Sequence, residues 1–213
     1  MRKILAIYLT IFVGWVVVFN FNHVIAQENA TPLVRVQEVI TVCKAYILEN
    51  KGHVAETEMI SKLKELVAPV FDFREMAKRC LGNNWNAGTP EQQKEFVDLF
   101  SEMLANAYMK KVVNGIGNAE IKYPADSVVS DNKKATVKTI IISDGESINV
   151  AYRMLQRKDG SWWVYDVIIE NIGLISNYRS EFNEIIRKSG YTGLIQILKD
   201  RIEKLKTAAA KAG

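Results

Sequence analysis

The sequence predicts an α+β fold in which a curved antiparallel sheet is packed with helices against one face. Two observations predict it. Apolar residues recur three and four apart up to about Val113, alternate from about Ala119 to Ile169, and return to the helical spacing afterwards. Asp144-Gly145 and Asp159-Gly160 punctuate the alternating stretch as hairpin signals, which divides it into three consecutive antiparallel strands.

The chain opens with a basic head, Arg2 and Lys3, an apolar run over 4–21 and small residues near Ala26, the grammar of a cleavable secretory signal peptide over 1–26. The alternative is an uncleaved membrane anchor, because the run approaches the roughly 20 residues that a bilayer span needs. Cleavage after Ala26 leaves about 187 residues and lowers the net charge of +4 by the two cations lost, to about +2. So weak a balance excludes an electrostatic case for nucleic acid. Of the 213 residues 48% are hydrophobic and 24% charged, which excludes disorder for most of the chain and fits one domain over 27–206 with a flexible tail over 207–213.

Each helix carries its own start signal. Thr31 as N-cap and Pro32 at the first helical position lead into Leu33, Val36, Ile40, Cys43 and Ile47, a single apolar face that stops at "NKGH". A second amphipathic segment with Ile60, Leu63 and Val67 runs up to Pro69. In "VFDFREMAKRCLG" Asp72 caps, Glu75 can close a capping box, Phe71 can staple onto Met76 and Gly82 stops the helix. Thr89, Pro90 and Gln92 repeat that grammar ahead of the stripe Phe96, Phe100, Met103, Ala107 and Tyr108. Two more helical segments, 174–188 and 191–206, meet at Gly190.

Cys43 and Cys80 can pair in an oxidising compartment, or each can be a small buried hydrophobe on its own helix stripe. Catalytic and metal chemistry leave little trace. His23 falls in the signal segment and His53 in a turn, and the chain has no HExxH or CxxC spacing and no glycine-rich phosphate loop. No metal and no cofactor are expected. Asp166, set in "VYDVII", reads either as a cavity acid or as a group facing outward or satisfied by Arg153 or Arg157. Lys133, Lys134, Lys138, Arg153, Arg157 and Lys158 read either as a solvated face or as a contact for anionic headgroups or an acidic partner.

The main positive signal is apolar excess in the strands. Ile148, Val150, Tyr152 and Met154 share one face by alternation. Further on, Trp163, Tyr165, Val167 and Ile169 share a face while Trp162, Val164 and Ile168 populate the other. Both faces need cover, by helices or by a ligand held between sheet and helices.

In combination, "VFDFREMAKRCLGNNWNAGTPEQQKEFVDLFSEML" and "GSWWVYDVIIENIGLISNYRSEFNEIIRKSGYTGLIQIL" resemble the MlaC-type periplasmic phospholipid-binding proteins, also called the toluene-tolerance auxiliary family, over about 31–206. The resemblance implies a fold NTF2-like in outline around an apolar ligand pocket. It also implies a non-enzymatic carrier that exchanges phospholipid between an outer-membrane lipoprotein complex and an inner-membrane ABC transporter with an MCE-domain protein. Such an ABC-type lipid transport system maintains outer-membrane lipid asymmetry, and a monomer is expected because a shuttle must expose its docking surfaces. One departure is "ENIG" over 170–173, where relatives read closer to E-G-V-S.

Face and spacing then assign pocket lining to Phe71, Met76, Phe100, Leu104, Tyr108, Val150, Tyr152, Met154, Trp163, Tyr165, Val167, Ile169, Leu174, Ile175 and Tyr178, with Arg179 at a headgroup or partner rim. Two rival readings remain: a carrier of another apolar lipid such as a hopanoid, and an NTF2-like enzyme with Asp166 or Tyr165 as acid or base.

Overall fold

A computed structural model of the chain describes residues 30–212, with side chains described to residue 207. The predicted signal peptide, or anchor, over 1–26 lies outside the described residues. The helices are α1 (Pro32–Asn50), α2 (Glu56–Val67), α3 (Phe73–Leu81) and α4 (Pro90–Ile116), with a 3₁₀ turn over Gly82–Ala87. Six strands follow: β1 (Glu120–Lys122), β2 (Val128–Asp131), β3 (Lys134–Ser143), β4 (Glu146–Gln156), β5 (Trp162–Ile169) and β6 (Ile172–Gly173). The chain ends in α5 (Leu174–Ala212).

Local signals set most boundaries. The Thr31 hydroxyl accepts from the Val34 N–H, and Thr89 with Gln92 forms the reciprocal capping box. Asp72 accepts from the Glu75 N–H at 2.9 Å, but Glu75 does not return the bond, because its carboxylate pairs with Arg79 one turn on at 2.8 Å. Gly82 ends α3 at φ +54°, a left-handed value that only glycine adopts without cost. In α2 the buried stripe is Met59, Leu63 and Val67, not Ile60. Gly190 interrupts α5 at φ 68° and ψ −177°, as expected, and the helix continues to Ala212 through the stretch predicted to be a tail.

The sheet is antiparallel throughout in the order β1-β3-β4-β5-β6, with β2 pairing beside β1 on β3. It has six strands rather than three: two hairpins turn without the expected glycine and add β2 and β6, and β1 joins β3 ahead of a turn closed by the Ser127 N–H on the Pro124 carbonyl. Asp144-Gly145 makes the predicted two-residue connection with both residues at positive φ. Asn132-Lys133 and Glu170-Asn171 adopt the same left-handed geometry between β2 and β3 and between β5 and β6. Lys133 and Glu170 each hold it at a cost of roughly 1–2 kcal/mol. The "ENIG" departure is therefore a tight turn, and the Glu170 carboxylate fastens it by accepting from the Asn149 N–H.

Between β4 and β5 the register shifts: Arg153 pairs with Asp166, but Met154 pairs with Val164, which leaves Tyr165 as an extra residue on β5. Such a bulge reverses which face later side chains occupy. Trp162, Val164, Val167 and Ile169 accordingly share one face. The predicted grouping of Trp163 and Tyr165 with Val167 and Ile169 is wrong for this reason.

The cysteines are not paired. Cys43 and Cys80 are free thiols, 5% and 0% exposed, and they lie in two different apolar clusters.

Candidate functional site

The interior is built as two apolar clusters. The first is laid on one face of the sheet, by Val137, Val150, Tyr152, Met154, Val164 and Val167. The stripes of α1 and α2 cover it, with Val36, Ile40 and Ile47 from one and Met59, Leu63 and Val67 from the other. The second cluster is nearly all helix, joining Met76 and Leu81 of α3, Phe96 and Phe100 of α4, and Tyr178, Phe182 and Leu194 of α5. Its centre is a set of rings: Phe100 lies edge-on to Tyr178 at 5.6 Å and to Phe182 at 5.8 Å, and is stacked on Phe96 at 5.7 Å.

Three aromatic residues pack against both clusters. Phe71, Phe73 and Tyr108 are partly buried and mark a seam between them. Phe71 and Phe73 are stacked with ring centres 6.0 Å apart. A short strap fixes one side of the seam: the Val164 N–H donates to the Val70 carbonyl at 2.9 Å, and the Asp72 N–H donates to the Val164 carbonyl at 2.8 Å. Tyr108 hydrogen-bonds Tyr178 across the helices, and burial, more than this bond, pushes the Tyr178 hydroxyl pKa up.

The residues singled out from sequence divide along this seam. Val150, Tyr152, Met154, Val167 and Leu174 lie in the first cluster, with Ile169 at its margin. Met76, Phe100, Leu104, Ile175 and Tyr178 lie in the second. Phe71 and Tyr108 touch both. Burial pushes the Tyr152 hydroxyl up to about 12, and a hydrogen bond with Thr139 opposes it. One cluster is set against the other along the seam.

Trp163 and Tyr165 belong to neither cluster. They face a polar cleft of about 300 Å³ that is also lined by Asp72, Glu75, Lys133, Lys134 and Arg157. Arg157 stacks 3.6 Å over the Trp163 ring while holding Asp72 at 2.7 Å, and Arg79 stacks 4.1 Å over Tyr165. Three of the six cations weighed from sequence are thus paired: Arg157, Arg153 with Asp166 at 3.4 Å, and Lys138 with Asp126 at 2.6 Å.

Asp166 is buried on the face opposite the first cluster. Besides Arg153, it accepts from the Ile175 N–H at 3.1 Å, at the start of α5. Desolvation pushes its carboxyl pKa up, and the bonds from Ile175 and Arg153 work against that. The arrangement ties α5 to β5 and offers no acid to the seam. Arg179 donates twice to the Arg79 carbonyl, at 2.8 and 2.6 Å, and so caps the last turn of α3 from α5. Sequence reasoning misses Arg35, although its place one turn ahead of Val39 puts it on the buried stripe of α1, where it is 0% exposed.

Comparison with known proteins places this arrangement. The family model described as MlaC protein matches residues 36–200. The intermembrane phospholipid transport system binding protein MlaC of Haemophilus influenzae is 22% identical over 175 residues, covering 80% of this chain and 81% of that protein. The toluene tolerance protein ttg2D of Pseudomonas putida is 23% identical over 135 residues, 60% of this chain and 59% of that one. The structure of a phospholipid-binding protein from Ralstonia solanacearum in complex with a phospholipid superposes with a TM-score of 0.70. It is 26% identical, with 85% of this chain and 99% of that chain covered.

Proposed function

This chain belongs to the MlaC family, and from that premise we propose that it binds phospholipid and carries it between membranes without chemical change. The observation that carries the reading is the seam, where two large apolar surfaces meet along three aromatic residues and are not fused into one core. Two acyl chains of about sixteen carbons present some 30 methylenes, worth roughly 0.8 kcal/mol each or about 25 kcal/mol in all. A surface patch shields only part of that, so a carrier must part its interior around the chains. Both clusters supply apolar walls to either side of Phe71 and Tyr108. The phospholipid complex of the Ralstonia protein, which shares this fold, supports the same cargo.

In this reading the chain is exported by its signal peptide to the periplasm, where residues 27–206 act as one lipid-binding domain. It exchanges lipid as a monomer with an outer-membrane lipoprotein complex and an inner-membrane ABC transporter bearing an MCE-domain protein. Mass spectrometry of organic extracts from the purified mature chain tests the cargo. Bound diacyl phospholipid is expected. A triterpenoid would move the assignment to the hopanoid reading, and an extract without lipid from a folded chain that also fails to take up phospholipid would overturn the carrier reading.

A further inference from the structure

Among the described residues, Arg35 is the one charged residue in the set of largest completely buried side chains. Among the described residues its guanidinium makes a single hydrogen bond, from Nη2 to the Pro69 carbonyl at 2.7 Å, and its Nε and Nη1 are buried without a partner. A guanidinium carries five N–H donors in a planar fork, and a buried charge with most of them idle is costly enough to require an explanation. Desolvation pushes the guanidinium pKa down and the charge of Glu38, one turn along α1, works against that, but Glu38 takes up none of the idle donors. The two form no salt bridge, and Glu38 Oε2 is itself buried without a partner.

The location supplies an explanation. The carbonyl that Arg35 holds belongs to Pro69, next to the Val70–Asp72 strap that is hydrogen-bonded to Val164 and carries Phe71 into the seam. Around Arg35 on α1 are Val36 and Val39 of the first cluster, with Leu33 packed against it. The idle fork therefore sits beside the strap that borders the seam. We propose that Arg35 is the receptor for the phosphate of the carried lipid, taking it up bidentately when the two clusters part around the acyl chains. This rests on the carrier reading above.

The chemistry is selective. A planar fork matches the paired oxygens of a phosphodiester, whereas an apolar lipid without an anion leaves both donors idle. Phosphate uptake would satisfy the idle Nε and Nη1 donors at the moment the seam opens, coupling cargo identity to opening. The contribution of Arg35 is then selectivity for phosphate-bearing lipid over a neutral lipid with the same tails.

The test compares the mature wild-type chain with Arg35→Met and Arg35→Lys, each delipidated and titrated with fluorescent phosphatidylethanolamine and with diacylglycerol of the same acyl chains. Wild type is expected to prefer the phospholipid at least tenfold. Arg35→Met, which keeps a long apolar side chain and removes the idle charge, should retain its melting temperature or gain in it and lose the preference. Arg35→Lys should restore part of it. An unchanged preference in Arg35→Met overturns the proposal, as does an equal fall in affinity for both lipids, which would mean a packing role. If Arg35→Met fails to fold, the Arg35→Lys ratio decides, and a wild-type ratio in that chain overturns the proposal. A wild type that binds neither lipid would instead refute the carrier reading itself.

Discussion

Truncating Phe100 separates a structural ring from a ring that lines an open cavity. Phe100 is 0% exposed and lies against Phe96, Tyr178 and Phe182, rings from two helices, at 5.6–5.8 Å. Phe100→Ala removes the ring's transfer energy and leaves a void among stiff aromatic neighbours that cannot collapse into it, a loss of about 3–5 kcal/mol. Each edge-on pair accounts for about 0.5–1.5 kcal/mol of that. For a chain of this size about 2–4 °C is lost per kcal/mol, so the melting temperature should fall by roughly 6–20 °C. The measurement is thermal unfolding of delipidated protein by circular dichroism, since bound lipid would raise the midpoint by mass action. A fall of only about 2–4 °C, as for a ~1 kcal/mol loss, would refute the reasoning. It would mean that the space beside Phe100 is already open and that the second cluster is cavity wall, not packed core.

The first cluster should respond differently to charge. Val150→Asp and Val167→Asp place a carboxylate where the exposed fraction is 7% and 9%, and should abolish lipid co-purification, while Val129→Asp at 58% exposure should not; a folded Val150→Asp chain with full lipid load would sink the assignment. At Gly88 an added methyl would lie 2.6 Å from the Tyr191 ring, so Gly88→Ala should cost about 1–3 kcal/mol through overpacking, and an unchanged melting temperature would show that the ring moves aside freely. Burial pushes the Cys43 thiol from 9.0 up to about 12, so the unfolded chain releases its proton first. Cys43 should therefore contribute no pH dependence below about pH 9 and should lower stability as pH rises from there towards 12. Cys43→Ala should flatten that alkaline decline in melting temperature, and an equal slope in both chains would show that the thiol is not sheltered.

The legible part of this protein was its local grammar. Thr31, Asp72 and Thr89 cap the helices they were assigned to, and Asp144-Gly145 turns the hairpin between β3 and β4, because each bond involved closes within a few residues. Errors began where a local rule depended on a distant partner. Glu75 had a choice of bonds and took Arg79. Asn132-Lys133 and Glu170-Asn171 lack the glycine that announces such turns, and the strands they connect force the geometry. The seam itself is half legible: Phe71 and Tyr108 read as apolar lining, but Phe73 does not, and nothing in the pattern shows that the three mark the contact between two separate clusters.

By itself, then, the sequence determined the succession of helices, antiparallel strands and helices, the N-caps Thr31, Asp72 and Thr89, and the apolar excess that a lipid carrier requires, since period and capping are written in neighbouring residues. The tertiary structure alone decided which apolar residues meet. The bulge at Tyr165 reverses the faces of β5 and sends Trp163 and Tyr165 under two arginines, and no count of alternation reveals a shift in register against β4. It also decided that Arg35 is sealed beside a carbonyl 34 residues away, because burial depends on what packs over a side chain and not on the residues next to it.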